Sequence, residues 1–263
     1  MASVVTYIGA AISMAGSVPE RLRAVPTFAA QIGSSFASKL APASVGGMAL
    51  NVRFMQRSGV DPAVAASGVG LNAVGGVVVH ITLLVVFAVW AGDSVFDAIH
   101  LPDWHIFVYG ILAVLAITAV AFAIPAVRKI MLGTVAPILR RSLGGLTTVL
   151  RRPGKFTMLL GGSAVVALSY VVAVYFATRA FGGDLPFASV AVAYLAGAAV
   201  ATAAPTPGGL GALEVAVITA LAAAGMDRAI AVPAVFLYRL ATFWLPILPG
   251  WLAFDWLRRE DYV

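Results

Sequence analysis

The stretch AAPTPGGLGALEVAV, residues 203–217, interrupts an apolar region with two prolines, three glycines and one glutamate. It is preceded by VAVAYLAGAAVAT and followed by ITALAAAG, so it is expected to lie at membrane depth. Helix-breaking residues and an acidic side chain are tolerated there only where they face protein or a cavity. The stretch therefore predicts a broken, membrane-embedded segment with a role beyond spanning.

The composition of the whole chain indicates an integral membrane protein. Of its 263 residues, 61% are hydrophobic and 11% are charged, whereas soluble domains carry about 25% charged residues. The apolar runs exceed about 18 residues and do not alternate every second residue, which favours helices. The predicted fold class is all-α, a polytopic transmembrane helix bundle with two hairpins broken by proline and glycine.

The charges indicate topology and lipid contact rather than nucleic-acid binding. The net charge is +6, but most Lys and Arg residues flank apolar runs, where they set orientation and attract anionic lipid. The chain has no cysteine, which excludes disulfides and thiolate metal sites. Residues 1–18 lack a basic region before their apolar stretch, so no cleavable signal peptide is predicted. The chain is expected to be one module of a larger protein.

Long apolar runs predict spanning helices at residues 1–18, 64–91, 104–127, 156–181 and 229–251. Two further apolar regions, residues 26–54 and 186–225, are interrupted by Pro/Gly clusters at Ala41–Gly47 and Ala204–Gly211. Each cluster is predicted to join two short helices. These pairs would form either two crossings or one re-entrant hairpin.

Orientation follows from the connection at residues 127–155, which contains seven Lys and Arg residues and no acid. The bias of basic residues toward the cytoplasm places this linker inside, together with the C-terminus after Arg258 and Arg259. The loop at residues 92–105 has acids and neither Lys nor Arg, so it is predicted to face outward. The linker either lies in the headgroup plane on anionic lipid or serves only as an anchor of orientation.

The two interrupted regions resemble each other. Each has an Ala-Pro pair, then a Gly-Gly pair, then a turn with an aspartate, Asp61 or Asp227, at a helix N-cap position. Their flanking charges predict opposite orientations, which is the signature of an inverted-topology repeat. Residues 1–91 and 156–257 would be its halves, joined by a helix at residues 104–127 and by the linker. Chance similarity of Ala/Gly/Pro-rich stretches is the alternative.

Two charged residues are predicted to lie within the membrane. Glu214 follows the Gly pair of the second region, and Arg239 lies near the middle of the helix at residues 229–251. Each costs roughly 2.5–3.5 kcal/mol at a helix centre, so they are expected to pair and to line a substrate cavity. An ion pair that only fixes helix register is the alternative. Glu214 is also the strongest candidate for a proton carrier.

Further candidates for substrate binding are polar side chains in the first half and the Pro/Gly hinge in the second half. In the first half they are Asn51, Arg53, Asn72 and His80, although a lone histidine in an apolar helix is more often a packing residue. In the second half, the hinge is predicted to face a phosphate, because glycines permit a tight turn and a helix N-terminus attracts anions. Its residues are Pro205, Pro207, Gly208, Gly209 and Gly211.

The second half resembles the lysylphosphatidylglycerol synthase transmembrane-region family, which has a flippase-like membrane domain and includes the multiple-peptide-resistance proteins. The matching residues are Pro205, Pro207, Gly208, Gly209, Gly211, Glu214, Gly225, Arg239, Trp244, Pro246 and Gly250. The resemblance implies an inner-membrane protein that moves an aminoacylated or other anionic lipid between leaflets. It also implies that lipid synthesis belongs to a separate catalytic domain or protein. In the first half, Asn51 and Asn72 stand where the family tends to carry charge.

No catalytic or cofactor motif is recognisable, so the chain is predicted not to be an enzyme and to need no cofactor. His100, Asp103 and His105 on the outer loop have metal-ligand chemistry, but a solvated polar loop is the favoured interpretation. Two other functions stay open. One is transport of a glycan or polyprenyl-linked precursor, and the other is a non-transporting scaffold for a synthase or glycosyltransferase.

Overall fold

The computed structural model describes residues 2–40, 45–92, 147, 149, 151–202, 204 and 206–263, and every longer element in these residues is a helix. The α-helices are α1 (Ala2–Gly16), α2 (Ala24–Leu40), α3 (Val45–Arg57), α4 (Pro62–Ala91), α5 (Pro153–Ala180), α6 (Phe187–Ala201), α7 (Ala212–Ala223), α8 (Arg228–Arg239) and α9 (Ile247–Arg259). A 3₁₀ turn at Pro207–Gly209 precedes α7, and a π-helical turn at Leu240–Trp244 joins α8 to α9.

Three of the described helical segments are long and apolar enough to span a membrane: Pro62–Ala91, Pro153–Ala180 and Arg228–Arg259. They confirm the helices predicted at residues 64–91, 156–181 and 229–251, with the last one continuing through the π turn to Arg259. The helix predicted at 104–127 and most of the linker predicted at 127–155 lie outside the described residues. The predicted fold class, an α-helical membrane bundle, is confirmed.

Helix α1 packs closely along α5 because glycines face each other. A Cβ atom added to Gly162 would lie 2.6 Å from the carbonyl oxygen of Gly9, and one added to Gly16 would lie 2.8 Å from that of Lys155. Lipid tails are as apolar as leucine, so helices associate in membranes through such close backbone approach. At 15 residues, α1 is shorter than the roughly 20 residues that cross a bilayer.

The two broken regions form the hairpins α2–α3 and α6–α7. In the second hairpin, a Cβ atom on Gly197 would lie 2.9 Å from the Cα atom of Val217, so the predicted small face of α6 packs on α7. In the first hairpin, the Gly46-Gly47 pair belongs to the first turn of α3 and not to the break. Position 47 of α3 requires glycine, because an added Cβ atom would lie 2.7 Å from the carbonyl oxygen of Ser34 on α2.

The aspartates predicted at helix N-caps cap the helices that follow each hairpin. Asp61 accepts hydrogen bonds from the backbone N–H groups of Ala63 and Val64 at 2.8 and 3.3 Å. Asp227 accepts one from Ala229 at 2.8 Å. Each carboxylate satisfies N–H groups that have no partner within the helix.

The hairpins pack reciprocally across the two halves of the chain. In the first hairpin, Phe36 on α2 lies against Phe254 on α9, with ring centroids 6.1 Å apart. In the second hairpin, Phe187 on α6 lies against Phe87 on α4, with centroids 5.6 Å apart. Each hairpin thus contacts the last helix of the other half, which is the arrangement a pseudo-two-fold axis requires. The inverted-topology repeat itself stays a prediction.

Candidate functional site

The break in the second hairpin is built from glycines in left-handed conformations. Helix α6 ends at Ala201, and the 3₁₀ turn follows with φ angles of +59° at Gly208 and +67° at Gly209. Gly211, at φ +78°, then leads into α7 at Ala212. Residues with a Cβ atom rarely adopt these angles, so the predicted tight turn and helix start are confirmed. Pro205 lies outside the described residues.

Glu214 and Arg239 form the ion pair that the sequence predicts. Glu214 lies in the first turn of α7, and Arg239 is the last residue of α8. The Nε atom of Arg239 donates to Oε1 of Glu214 at 2.6 Å, and both side chains are buried. Arg239 also donates from Nη2 to the carbonyl oxygen of Gly208 at 3.1 Å. The pair therefore ties α8 to the turn within the hairpin break and to α7.

A π-helical turn directly after Arg239 shapes this end of α8. The N–H group of Leu245 donates to the carbonyl oxygen of Leu240, five residues earlier, at 2.9 Å. Pro246 has no N–H group and clashes with the carbonyl four residues before it, so the regular helix cannot continue unchanged. The wider turn directs Phe243 inward, where it is buried. Single π turns of this kind occur often at functional sites.

Phe243 contacts two cations and the hinge. The guanidinium carbon of Arg239 lies 4.2 Å from the centroid of the Phe243 ring, and Nζ of Lys39 lies 5.0 Å from it. The ring also fills the space beside Gly208, where an added Cβ atom would collide with it. Cations over an aromatic face are attracted by its quadrupole. Lys39, near the end of α2, therefore brings a second positive charge to the site.

A cavity of about 680 Å³ lies between the first hairpin and the helices of the second half. Its polar and charged lining residues are Ser35, Ser38, Lys39, Tyr170, Tyr194, Thr202, Thr206, Tyr238, Arg239 and Thr242, and the hinge glycines Gly208 and Gly209 also line it. We call it the cationic cavity, because Lys39 and Arg239 are the charged side chains among its described lining residues. Glu214 lies behind Arg239 and holds it.

Unsatisfied polar atoms make the cationic cavity a candidate ligand site. In the described part of the chain, three buried side-chain polar atoms have no hydrogen-bond partner: Nζ of Lys39, Oγ1 of Thr206 and Oε2 of Glu214. Lys39 and Thr206 line the cavity, and Glu214 is the partner of its Arg239. Buried polar groups are nearly always paired, and each exception calls for an explanation. A bound ligand would supply the missing partners.

A cluster of tyrosines separates the cationic cavity from a smaller one of about 360 Å³. The hydroxyl groups of Tyr194 and Tyr238 are 3.0 Å apart and share a hydrogen bond. The ring of Tyr170 lies edge-on to that of Tyr238, with centroids 6.2 Å apart. Tyr170 and Tyr194 line both cavities, so a rotation of either ring would change the connection between them.

The predicted residues Asn72 and His80 line the smaller cavity. Oδ1 of Asn72 accepts a hydrogen bond from the hydroxyl of Ser13 at 2.6 Å. Nε2 of His80 donates to the carbonyl oxygen of Leu195 at 2.9 Å, which assigns the hydrogen to that nitrogen. The structure thus places these two residues next to the cationic cavity, beyond the tyrosines, and not inside it.

Asn51 and Arg53 lie elsewhere. Asn51 is buried between α2 and α3, where its Oδ1 atom accepts a hydrogen bond from the side chain of Gln31 at 3.0 Å. Arg53 is exposed, and neither residue is among the described lining residues of the cationic cavity. Their role as substrate ligands stays a prediction without geometric support. Among the described residues, no cluster of His, Asp and Glu could hold a metal ion.

The sequence interpretation omitted Lys39 and the tyrosines. Lys39 had a signal, since a lone lysine in the apolar run before Ala41-Pro42 is costly at membrane depth. No sequence signal distinguishes the site tyrosines, Tyr170, Tyr194 and Tyr238. A tyrosine in an apolar helix is equally typical of an anchor at the membrane interface. Only the packing of α5, α6 and α8 brings their rings together.

Comparison with known proteins identifies the family of the chain. The family model described as the lysylphosphatidylglycerol synthase TM region matches residues 4–250. The chain belongs to this family. The hinge, Glu214 and Arg239 all fall within the matched range, and the predicted resemblance is confirmed. Family membership and three helices of spanning length make the chain a multi-pass membrane protein.

One curated relative is the UPF0104 membrane protein PH1989 of Pyrococcus horikoshii, which is 36% identical over 80 residues. The match covers 30% of this chain and 24% of the relative, so it spans about a quarter of the relative's length. The name of that protein states no activity. No solved structure matches the chain.

Proposed function

We propose that this protein moves a lipid with a charged headgroup, anionic or aminoacylated, between the leaflets of the membrane through the cationic cavity. The observation that carries the proposal is the Nζ atom of Lys39, which is buried at the cavity without a hydrogen-bond partner among the described residues. A buried ammonium without a partner is strongly disfavoured. A negatively charged group of a substrate would remove that cost.

The hinge adds to the attraction for an anion. Gly208 and Gly209 line the cavity without side chains, so a ligand can approach the backbone closely. Helix α7 begins three residues later, and its positive dipole end favours negative charge. Thr206 contributes a hydroxyl that is buried and unpaired among the described residues. Lys39, Arg239 and the hinge together fit a phosphate group.

An apolar groove supports a lipid over a water-soluble glycan. The groove, of about 1010 Å³, runs along α6 and α7 from Pro186 to Ala204, and none of its described lining residues is charged. It shares Ala201 and Ala204 with the cationic cavity. Helix α6 has 15 residues and is therefore about 22 Å long, more than half of a hydrocarbon core of about 30 Å. The groove can therefore hold an acyl chain while the headgroup occupies the cavity.

The reciprocal packing of the hairpins suggests how access would alternate. The cationic cavity lies where α2 of the first half meets α6, α7 and α8 of the second half. Rocking of one half against the other around a fixed site would open the cavity to each leaflet in turn. The tyrosine cluster between the two cavities would be part of the barrier that moves.

We further propose the cell inner membrane as the location, with the C-terminus in the cytoplasm. The orientation rests on Arg258 and Arg259 at the end of α9 and on the basic linker predicted at residues 127–155. The chain itself would catalyse no aminoacyl transfer, and any synthesis of its lipid would belong to a separate domain or protein. Anionic membrane lipids would be its main partners.

The proposal is tested by reconstituting the full chain into vesicles with an acyl-labelled anionic lipid and adding a membrane-impermeant quencher. Wild-type protein is expected to bring inner-leaflet lipid to the quencher, which protein-free vesicles do not. The double variant Glu214→Ala/Arg239→Ala should fold and move lipid much more slowly. Arg228→Met, which removes an exposed cation at the start of α8, is the matched control and should behave as wild type. Wild-type vesicles that match protein-free ones would favour the scaffold alternative.

A further inference from the structure

We propose that the transported headgroup carries a single net negative charge, as an unmodified phosphodiester does, and that aminoacylated headgroups are poor substrates. This inference rests on the proposed lipid transport and specifies its substrate class. The charges at the cationic cavity and the polar atoms there that lack partners both favour a monoanion.

The charges at the cavity leave one cation unbalanced. The guanidinium of Arg239 is neutralised by the carboxylate of Glu214, which its Nε atom contacts at 2.6 Å. Lys39 has no acidic partner among the described residues, and its Nζ atom is buried. No other charged side chain is among the described residues that line the cavity. Summed over the described lining residues and Glu214, the cavity therefore carries the single positive charge of Lys39.

Within the membrane, the uncompensated charge of Lys39 should decide which headgroups can enter the cavity. An uncompensated charge is far more costly at low dielectric than in water. A headgroup with one negative charge neutralises the site and leaves the Arg239–Glu214 pair intact. A dianion would leave a net negative charge, and a zwitterion would leave Lys39 uncompensated. Only the monoanion crosses with the site neutral.

The unpaired atoms fit the same chemistry. A phosphodiester has two non-bridging oxygens that share one charge and accept hydrogen bonds. Nζ of Lys39 and the hydroxyl of Thr206 are the donors without partners at the cavity. The ring of Phe243, which contacts both Lys39 and Arg239, keeps the two cations on one wall.

Aminoacylation would reverse the match. A lysyl ester adds two ammonium groups to a headgroup whose phosphodiester carries one negative charge, so the whole headgroup becomes cationic. Entering beside Lys39, it would add positive charge to a positive site, because the negative charge of Glu214 is already balanced by Arg239. The family description names a lysylated lipid. The charges of the described cavity residues favour the unmodified anionic lipid instead.

The test uses the full chain in vesicles with four labelled lipids that share the same acyl chains. Their headgroups are phosphoglycerol, its lysyl ester, phosphocholine and a phosphomonoester, and the rate of transbilayer movement is measured for each. Wild type should move the phosphoglycerol lipid at least tenfold faster than the lysyl ester. Lys39→Met should reduce that ratio to near one, and Lys39→Arg should keep it. Lys39→Glu should favour the lysyl ester.

The outcomes separate the two proposals. If every lipid moves at the same rate, or the lysyl ester moves fastest in wild type, the charge inference is overturned and lipid transport stands. If no lipid moves faster than in protein-free vesicles, the proposed function fails and the inference fails with it. The four lipids are compared on wild-type protein. The test is therefore decisive even if a Lys39 variant fails to fold.

Discussion

Arg239 holds Glu214 through one carboxylate oxygen: its Nε atom donates to Oε1 at 2.6 Å, while Oε2 has no partner among the described residues. The pair is buried, yet it is not the two-bonded fork that arginine and carboxylate often form. Arg239 directs its Nη2 atom to Gly208 instead. The carboxylate therefore keeps a free acceptor, and the arginine holds the hinge in place.

Glu214 and Arg239 should stabilise the fold mainly because each neutralises the buried charge of the other. Removing one partner of a buried pair costs about 3–5 kcal/mol because a buried charge is left uncompensated, and removing both partners leaves no such charge. Glu214→Ala and Arg239→Ala should each lower the unfolding temperature in detergent more than the double variant does. The exposed pair Arg57–Asp261, at 3.5 Å, serves as control, since each of its single variants should cost less than about 1 kcal/mol. Additive effects at Glu214 and Arg239 would contradict the pairing.

Two adjacent glycines of α5 should respond oppositely to alanine. A Cβ atom on Gly162 would lie 2.6 Å from the carbonyl oxygen of Gly9, whereas one on Gly161 would meet nothing within 4 Å. Gly162→Ala should therefore destabilise the protein by about 1–3 kcal/mol through overpacking against α1. Gly161→Ala should be neutral or stabilising by up to about 1 kcal/mol, because alanine favours the helix. Equal thermal shifts for the two variants would show that α1 does not pack there.

The hinge should tolerate no side chain at Gly208. Its φ angle of +59° is strained for alanine, and the added Cβ atom would collide with the ring of Phe243. The strain costs roughly 1–2 kcal/mol, and the collision adds to it. Gly182→Ala is the control, since Gly182 has φ +83° and open space around its Cβ position. Gly208→Ala should lower the unfolding temperature more, and Gly208→Ala/Phe243→Leu should recover part of the difference.

The aspartate caps of α4 and α8 should contribute similar amounts of stability. Asp61 and Asp227 each accept a backbone hydrogen bond at 2.8 Å at the start of a helix. Replacing such a cap by alanine costs about 1 kcal/mol, and replacing it by serine costs less. Asp61→Ala and Asp227→Ala should therefore lower the unfolding temperature, with serine variants intermediate. A serine variant no better than alanine would argue against capping.

Much of the fold follows from hydrophobic runs and their interruptions. The helices Pro62–Ala91 and Pro153–Ala180 differ by only a few residues from their predicted bounds, because length and apolarity suffice to define a spanning helix. The Gly46-Gly47 pair shows the limit of such patterns. Glycines that break a helix and glycines that permit close packing look alike in a sequence, and only the contact of Gly47 with Ser34 tells them apart.

The candidate site was predictable where charge was involved. Glu214 and Arg239 could be paired in advance because an unpaired charge in a membrane is costly. An unpaired lysine is equally costly, but Nζ of Lys39 has no side-chain partner among the described residues. A search for oppositely charged pairs in the sequence therefore could not predict its place in the site. The tyrosine cluster depends on how α5, α6 and α8 cross, and no local pattern encodes that crossing. Asn51 and Arg53, the polar candidates predicted on the helix after Ala41-Pro42, are not among the described lining residues of the cavity.

The most direct test of the account is mass spectrometry of the lipids that remain bound to the detergent-purified protein. The account predicts that wild type retains a singly anionic phospholipid above its proportion in the membrane. It also predicts loss of this enrichment in Lys39→Met and in Glu214→Ala/Arg239→Ala, with Arg228→Met unchanged. Identical lipid profiles for wild type and folded cavity variants would contradict the account and reduce the charged residues to a structural brace.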